Sequence, residues 1–419
     1  MSQITELQNE WNTNKRWAGI KRDYSAAEVI RLRPRIPLAY TLATLGSETF
    51  FKLLQQKQFY TGFGALTGNQ ALAQAHCQQP FIYVSGWQIA ADNNSAGKMY
   101  PDLSLYPVDS GPNLVRTINH TLMAADKIAA LAEPESAVLV KPIMIDAEAG
   151  FGGPLNAFEL TKQLIEAGVA ALHIEDQLPS AKRCGHLAGK VIVGTTEMLN
   201  KLKAARLSAD VCNVPTVLIA RTDAYGAKFI NTDIDEVDRP FVTQTRSPEG
   251  LYGVNGKMEH AIARSLCFAP YVDMLWCETG KPDLKEAEQF ATAIHAKFPG
   301  KPLVYNCSPS FHWQKYLNDK EIASFQQALF EMGYHIQLIT LAGFHALHLS
   351  MFEMINGYRK KGLQHYANFQ AEEFKQAEQG YRAHKHQALV GTAFYDAVLE
   401  NIMQDDSLAA LPNSTEADF

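Results

Sequence analysis

Pro142-Ile-Met-Ile145 runs into Asp146-Ala-Glu148-Ala-Gly150-Phe-Gly152-Gly153, then into the amphipathic stretch from Leu155 to Ala167, then into Ala171-Leu-His173-Ile174 and Glu175-Asp176. Both apolar runs are too short for a helix and each carries β-branched residues, so each reads as a buried strand. A helical pattern of a dozen or so residues between two such strands makes a crossover unit, and crossover units give parallel sheets. The same rhythm extends in both directions. Further strand candidates are Phe59 to Phe63, Phe81 to Val84, Thr216 to Ala220, Val272 to Cys277, Leu303 to Tyr305 and His335 to Ile339. Helical patterns intervene at Glu197 to Ala209, His260 to Phe268, Asp283 to Phe298 and Ile322 to Met332. Eight such runs in one chain favour an α/β fold closed as a (β/α)8 TIM-type barrel. An open doubly wound sheet would want a GxGxxG or GxxxxGK[ST] turn after its first strand, and the sequence has neither.

The flanks are helical. Residues 1–50 read as an N-terminal helical segment, with Ser25-Ala-Ala-Glu28 as a capping box. Residues 51–345 are assigned to the catalytic barrel and 346–419 to a C-terminal helical extension and tail, with helices over Ala342 to Lys360, Leu363 to Gln379 and Ala383 to Met403. That extension carries Phe344, Met351, Phe352, Met354, Tyr366, Phe369, Phe374, Phe394 and Tyr395. So much apolar surface beyond a complete barrel calls for a cover, and a second copy of the chain is the expected one.

Composition narrows the function. The chain has 419 residues, 47% of them hydrophobic and 20% charged, a globular balance. Its net charge of -6 repels phosphate backbones and anionic membranes, so neither nucleic acid nor membrane is an expected partner. The six cysteines form no CxxC pair and no zinc spacing, which suits a reducing compartment. The polar first residues lack the apolar core of a signal peptide, and no apolar run reaches the length of a membrane span. A cytoplasmic location is the expectation.

A closed barrel predicts reactive side chains at the C-terminal tips of several strands. Ser85, Asp146, Glu175, Arg221, Glu278, Asn306 and Thr340 stand at or just after those tips. A polar residue where one strand meets water is ordinary. Seven in register are not. Asp146, Glu148 and Glu175, with Asp102 in the preceding loop, would repel one another unless a cation neutralised them. Oxygen ligands without a His or thiolate set suit Mg²⁺ or Mn²⁺.

The loop after the Glu175 strand carries Lys182-Arg183-Cys184-Gly185-His186-Leu187. Three basic neighbours are expected to lower the pKa of the thiol, while at the reference value near 8.5 most copies would still hold their proton at neutral pH. A protonated thiol beside a barrel mouth can act as a general acid.

That hexapeptide resembles the signature of the isocitrate lyase family, within the superfamily that includes methylisocitrate lyase and phosphoenolpyruvate mutase. The likeness runs in order through Gly64–Gln70, Tyr83–Gln88, Tyr100–Pro107, Asp146–Gly153, His173–Gln177, Ile219–Asp223, Trp276–Gly280, Tyr305–Phe311, Thr340–His345 and Lys385–Gln387. The resemblance implies Mg²⁺-dependent cleavage of isocitrate into glyoxylate and succinate, in the glyoxylate shunt, by a homotetramer. It implies metal ligation by Asp146, Asp102, Glu148 and Glu175. The glyoxylate half would meet Ser85, Gly86, Trp87 and Arg221, and the succinate half Asn306, Ser308, Ser310, Thr340, Gly185 and His186. Cys184 would protonate the succinate carbanion. Glu278 and Tyr83 both stand as the base for the substrate hydroxyl. The loop from Leu178 to Gly189 would close as a lid, with the segment Asn413-Ser-Thr-Glu416 packing over it.

Other readings weigh against this one. Methylisocitrate lyase, as main or side activity, is the nearest, though Leu187 and Trp87 depart from its pattern and Trp276 with Thr340 would crowd a methyl group. A non-catalytic barrel would have lost the acid or the metal ligands. A hydrolase pairing Cys184 with His186 would need a base two residues from its nucleophile on one loop. Read singly, Trp87 and Trp276 could be packing, Ser308 and Ser310 helix caps, and His173 and His345 core histidines. The stretch from Ala224 to Lys257 has no assigned role.

Overall fold

A computed structural model describes residues 2–412 and 414–418. It contains twelve strands: β1 (Tyr60–Phe63), β2 (Ile82–Val84), β3 (Ile143–Asp146), β4 (Ala171–Glu175), β5 (Val191–Ile192) and β6 (Val217–Thr222), followed by β7 (Phe229–Ile230), β8 (Val242–Arg246), β9 (Tyr252–Val254), β10 (Met274–Cys277), β11 (Leu303–Asn306) and β12 (Tyr334–Ile339). Eight of them form one parallel sheet in the order β1-β12-β11-β10-β6-β4-β3-β2. A parallel bridge between Gly64 and Tyr83 brings β2 back to β1, so the sheet curls into a barrel. All eight strands read from the sequence are present, with no boundary moved by more than two residues.

Alternation along the strands divides the core in two. Met144, Ala171, Val217, Ile219, Met274, Trp276, Val304, Ile336 and Leu338 point inward and pack together. Ile143, Ile145, Leu172, Ile174, Leu218, Ala220 and Leu275 point outward against the ring of helices. The helix Thr41–Leu54 inserts Phe50 and Leu54 into the inner cluster, where Phe50 meets Phe81 edge-on at 5.0 Å. These residues close the N-terminal end of the barrel, so only the opposite end can hold a site.

The capping box at Ser25 forms as read: Glu28 N–H donates to Ser25 Oγ at 3.3 Å and Ser25 N–H to Glu28 Oε2 at 2.8 Å. Helices Ala342–Lys361 and Leu363–Ala377 also match. The helix expected over Ala383 to Met403 is instead two, His386–Leu389 and Thr392–Met403, parted by Gly391 at φ +94. A left-handed residue ends one helix before the next begins, and glycine adopts it without strain. The Asn413 position of the tail lies outside the described residues; Glu416 is buried and accepts the Gln387 and Ala388 backbone N–H groups at 2.7 and 3.1 Å, capping His386–Leu389.

The stretch from Ala224 to Lys257 forms most of a second sheet, ordered β5-β7-β9-β8. Its first member, β5, immediately follows the loop that carries Cys184.

Candidate active site

The inward phase of each barrel strand continues into its tip. Tyr83 is followed two residues on by Ser85, Met144 by Asp146, His173 by Glu175, Ile219 by Arg221, Trp276 by Glu278, Val304 by Asn306 and Leu338 by Thr340. The same period-two rule that buries an apolar layer therefore aims seven polar groups into one mouth. The cavity there is lined by Tyr83, Ser85, Trp87, Asp102, Asp146, Cys184, Gly185, His186, Arg221, Trp276, Glu278, Asn306, Ser308, Ser310, Thr340 and Leu341. Glu148 and Glu175 lie beneath this surface, both fully buried, and Gly86 sits against two of the acids.

Gly86 shows how tight the packing is. A Cβ added there would stand 2.5 Å from Glu148 Oε1 and 2.9 Å from Asp146 Oδ2. Only glycine lets the backbone approach both carboxylates. Glu148 is itself held at φ +53, a costly conformation for a side-chain-bearing residue, and Tyr106 and Ser104 fix its oxygens at 2.6 and 2.9 Å. Its backbone N–H donates to Asp146 Oδ1 at 2.8 Å.

The loop from Leu178 to Gly189 is folded down over this cavity. A Cβ on Gly185 would come within 2.6 Å of Arg221 Nη2 and 2.7 Å of Glu278 Cγ. His186 Nε2 is 3.4 Å from Glu278 Oε1, and its ring meets Phe311 edge-on. Lys182 is buried, with its ammonium paired to Asp102 and, at 2.5 Å, to Glu148 Oε2. Burial opposes that charge, but Asp102 and Glu148 outweigh it and hold the Lys182 pKa well above its ordinary value.

Cys184 departs from the sequence expectation. Its thiol is not made more acidic by its basic neighbours: burial, with Asp102 adding to it, pushes the pKa up to about 12. The reason is visible in the neighbours. Lys182 is already neutralised by two carboxylates, and Arg183 is exposed to solvent. The group thus keeps its proton at neutral pH, as an acid must.

Two candidate bases are now distinguishable in geometry. Tyr83 OH is bonded to His173 Nε2 at 3.1 Å, and burial raises its pKa well above the ordinary phenol value. His173 is driven well below its ordinary pKa by burial and by Arg221, and is a neutral, fully buried ring against Trp276. Glu278 Oε1 accepts from Asn306 Nδ2 at 2.9 Å, whereas its Oε2 is buried without a hydrogen-bond partner. That oxygen lies 3.8 Å from Arg221 Nε, and a carboxylate oxygen without a hydrogen bond of its own can take a proton.

Arg221 is clamped from behind. Its Nε and Nη2 donate to Asp223 at 2.9 and 3.2 Å, Glu175 Oε2 lies 3.3 Å away, and its guanidinium sits 5.1 Å from the Trp276 ring centre. Asp223 is held well below the ordinary carboxylate range: burial pushes the other way, but Arg221 and Lys190 overcome it. Trp87 packs edge-on against Phe344 at 4.7 Å, and Ser308 Oγ accepts the Ser310 N–H at 3.1 Å. His345, a candidate core histidine, is exposed on the helix Ala342–Lys361.

The acids fit a hard divalent cation. Both oxygens of Glu175 are buried without a hydrogen-bond partner, and burial raises its pKa well above the usual range. Burial raises Asp102 and Asp146 likewise. Such a cluster demands positive charge, which Lys182 and Arg221 supply in part. Among the described residues, no three His, Cys, Asp or Glu side chains already converge as a ligand cage. A cation that keeps several waters needs only one or two direct carboxylates. Sequence reading passed over Lys182, Tyr106, Ser104 and Asp223 as parts of this arrangement. Asp223 had a signal, lying two residues after Arg221 and so on the same side of the chain.

A sequence profile described as the isocitrate lyase family matches residues 3–249 and 243–415. The chain belongs to the isocitrate lyase family. It is 51% identical to the isocitrate lyase of Escherichia coli K12, over 99% of this chain and 98% of that one. It is 50% identical to the isocitrate lyase of Halalkalibacterium halodurans, over 98% and 96%. Against isocitrate lyase 1 of Mycobacterium tuberculosis the identity is 48%, over 98% and 96%. Among solved structures, 2,3-dimethylmalate lyase, described as a member of the PEP mutase/isocitrate lyase superfamily, superposes with a TM-score of 0.55 at 23% identity, over 78% of this chain and 87% of that one. Phosphoenolpyruvate phosphomutase from Streptomyces platensis gives 0.58 at 15%, over 85% and 99%. At these identities the structures speak for the barrel alone.

Proposed function

We propose that the chain cleaves isocitrate into glyoxylate and succinate, by a retro-aldol scission. The observation that carries this reading is the closed loop: one thiol, kept protonated by burial, lines the same cavity as the Arg221 clamp, Glu278, Asp102 and Asp146. Isocitrate lyases about 50% identical over nearly the full length support the substrate, and their names give the methylisocitrate reading no support.

Arg221 would take the carboxylate of the glyoxylate half in two parallel hydrogen bonds, with Ser85, Gly86 and Trp87 around it. Glu278 Oε2 would remove the hydroxyl proton as the carbon–carbon bond breaks. The electron pair flows into the succinate half, whose carboxylate Asn306, Ser308, Ser310, Thr340, Gly185 and His186 are placed to hold. Cys184 Sγ–H would then hand its proton to the carbanion carbon. Asp146, Asp102, Glu148 and Glu175 would hold Mg²⁺, or Mn²⁺ in its place, a Lewis acid whose polarisation of the forming carbonyl is worth several kcal/mol. Shielding by the loop keeps water from quenching the carbanion.

Purified protein mixed with isocitrate and MgCl₂ should release glyoxylate, trapped with phenylhydrazine. EDTA should abolish the release and added Mg²⁺ restore it. No glyoxylate under these conditions would overturn the assignment.

The reading extends to assembly and place. Leu347, Leu349, Met351, Phe352, Ile355 and Tyr358 on the helix Ala342–Lys361 are exposed, from 39% for Leu347 to 67% for Phe352. An apolar face of this extent suits a homo-oligomer interface. We infer a tetramer, for which sedimentation equilibrium would return about four times the 46.5 kDa chain mass and a monomer mass would refute it. Six free cysteines and the absence, among the described residues, of a helix able to cross a membrane are compatible with a cytoplasmic enzyme of the glyoxylate shunt.

A further inference from the structure

The lid has two stems, and they are tied to each other. Leu178 N–H donates to Val191 O at 2.8 Å and Val193 N–H to Asp176 O at 2.9 Å, with Gln177 bridged antiparallel to Ile192. Gln177 on the first stem also reaches into the tip, donating Nε2 to Arg183 O at 2.8 Å and accepting the Arg183 N–H on Oε1 at 2.9 Å, so stem and tip are joined. The second stem is also built into the small sheet: β5 pairs parallel with β7, Lys228 N–H donates to Lys190 O at 2.9 Å and Asn231 N–H to Ile192 O at 3.1 Å. The stretch from Ala224 to Lys257, without a role in the sequence, therefore anchors the lid.

Lys190 is the first residue past the lid. It is 4% exposed, and its Nζ donates to Asp223 Oδ1 and to Tyr225 O, each at 3.1 Å. Asp223, fully buried, uses the same Oδ1 and its Oδ2 to grip Arg221 Nη2 and Nε. The Asp223 backbone N–H donates to Asp176 Oδ1 at 2.7 Å, on the first stem. Meanwhile Gly185 at the lid tip packs against Arg221 Nη2. One guanidinium thus touches the lid's tip directly and its stem through a single carboxylate. A buried acid shared by two cations cannot shift toward one without weakening the other.

We propose that Lys190 and Asp223 are positioning residues that couple lid closure to the orientation of the Arg221 clamp. The proposal rests on the reading of Arg221 as the glyoxylate carboxylate site. Lys190 is not among the residues that line the cavity. Its removal should nevertheless be felt there.

The test uses the full-length protein with MgCl₂ and two readouts. Glyoxylate affinity is measured by isothermal titration calorimetry. Lid closure is measured by tryptic nicking after Arg183, which is exposed within the lid, in the absence and presence of glyoxylate plus succinate. In the native protein the two ligands should suppress nicking. Lys190→Met should weaken glyoxylate binding about tenfold, raise KM for isocitrate more than it lowers kcat, and abolish the ligand-dependent protection. Lys190→Arg, which keeps the charge, should restore most of each. Asp223→Asn should give the same pattern, and Lys190→Met added to it should cost little more. If Lys190→Met lowers only thermal stability, leaving KM, glyoxylate affinity and protection at native levels, the coupling is refuted. If Lys190→Met does not fold, Asp223→Asn decides by the same readouts. Failure of the native protein to bind glyoxylate would instead sink the underlying reading of the site.

Discussion

Replacing Cys184 by alanine is expected to lower kcat for isocitrate cleavage by about 10³ to 10⁴-fold, the upper part of the roughly 10² to 10⁴-fold that a positioned general acid contributes. At 1.36 kcal/mol per decade that is roughly 4 to 5 kcal/mol of transition-state stabilisation. KM should change little, because the thiol acts on a carbon that becomes basic only as the bond breaks. Cys184→Ser should fall in the same range, since a hydroxyl in this buried place is a still weaker acid than the thiol. The pH profile carries a second expectation. The thiol has its pKa raised to about 12, so it stays protonated below that value, and forward cleavage should show no loss from thiol ionisation between pH 7 and about 10. Measuring kcat for both variants across that interval checks both points. A Cys184→Ala enzyme within tenfold of the native rate would remove the acid from the account.

The second large effect is expected at Glu278. Glu278→Gln keeps the shape and one acceptor for Asn306 Nδ2, but replaces the carboxylate charge, and the oxygen that makes no hydrogen bond, with an amide. Loss of a general base should reduce kcat by about 10² to 10³-fold. Tyr83→Phe should cost less than tenfold, because that hydroxyl already bonds a neutral His173 and holds its proton firmly. The two variants assayed side by side rank the candidate bases. A large loss in Tyr83→Phe with near-native Glu278→Gln would reverse the assignment.

Much of the barrel was legible because its strands are short, β-branched and almost wholly buried, a pattern that survives without knowledge of neighbours. The site was legible for a related reason: Asp146, Glu175, Arg221 and Glu278 are the next inward positions after Met144, His173, Ile219 and Trp276. What escaped notice depends on partners distant in sequence. β5 and β7 have two residues each and exist only because they pair. No local signal marks them. The 23-residue helix Ser110–Ala132 is a different case: Leu114, Val115, Ile118, Leu122 and Ala125 hold a helical period, and that signal was passed over. Gly391 likewise marked the break that splits the last helix.

The thiol is the most instructive miss. Adjacent Lys182 and Arg183 suggested an acidified cysteine, as local charge often does. Folding spends one of those charges on Asp102 and Glu148 and leaves the other in water, so burial decides the outcome. Sequence neighbours are not spatial neighbours. The shared carboxylate of Asp223 makes the same point, joining residues 31 positions apart, Lys190 and Arg221, on one acid.

Hydrogen exchange on succinate probes the proton transfer without waiting for the bond to break. Native enzyme with Mg²⁺, glyoxylate and succinate in D₂O should move deuterium into one methylene position, followed by NMR, while Cys184→Ala should show exchange no faster than solution without enzyme. Exchange at the native rate in that variant would contradict the account.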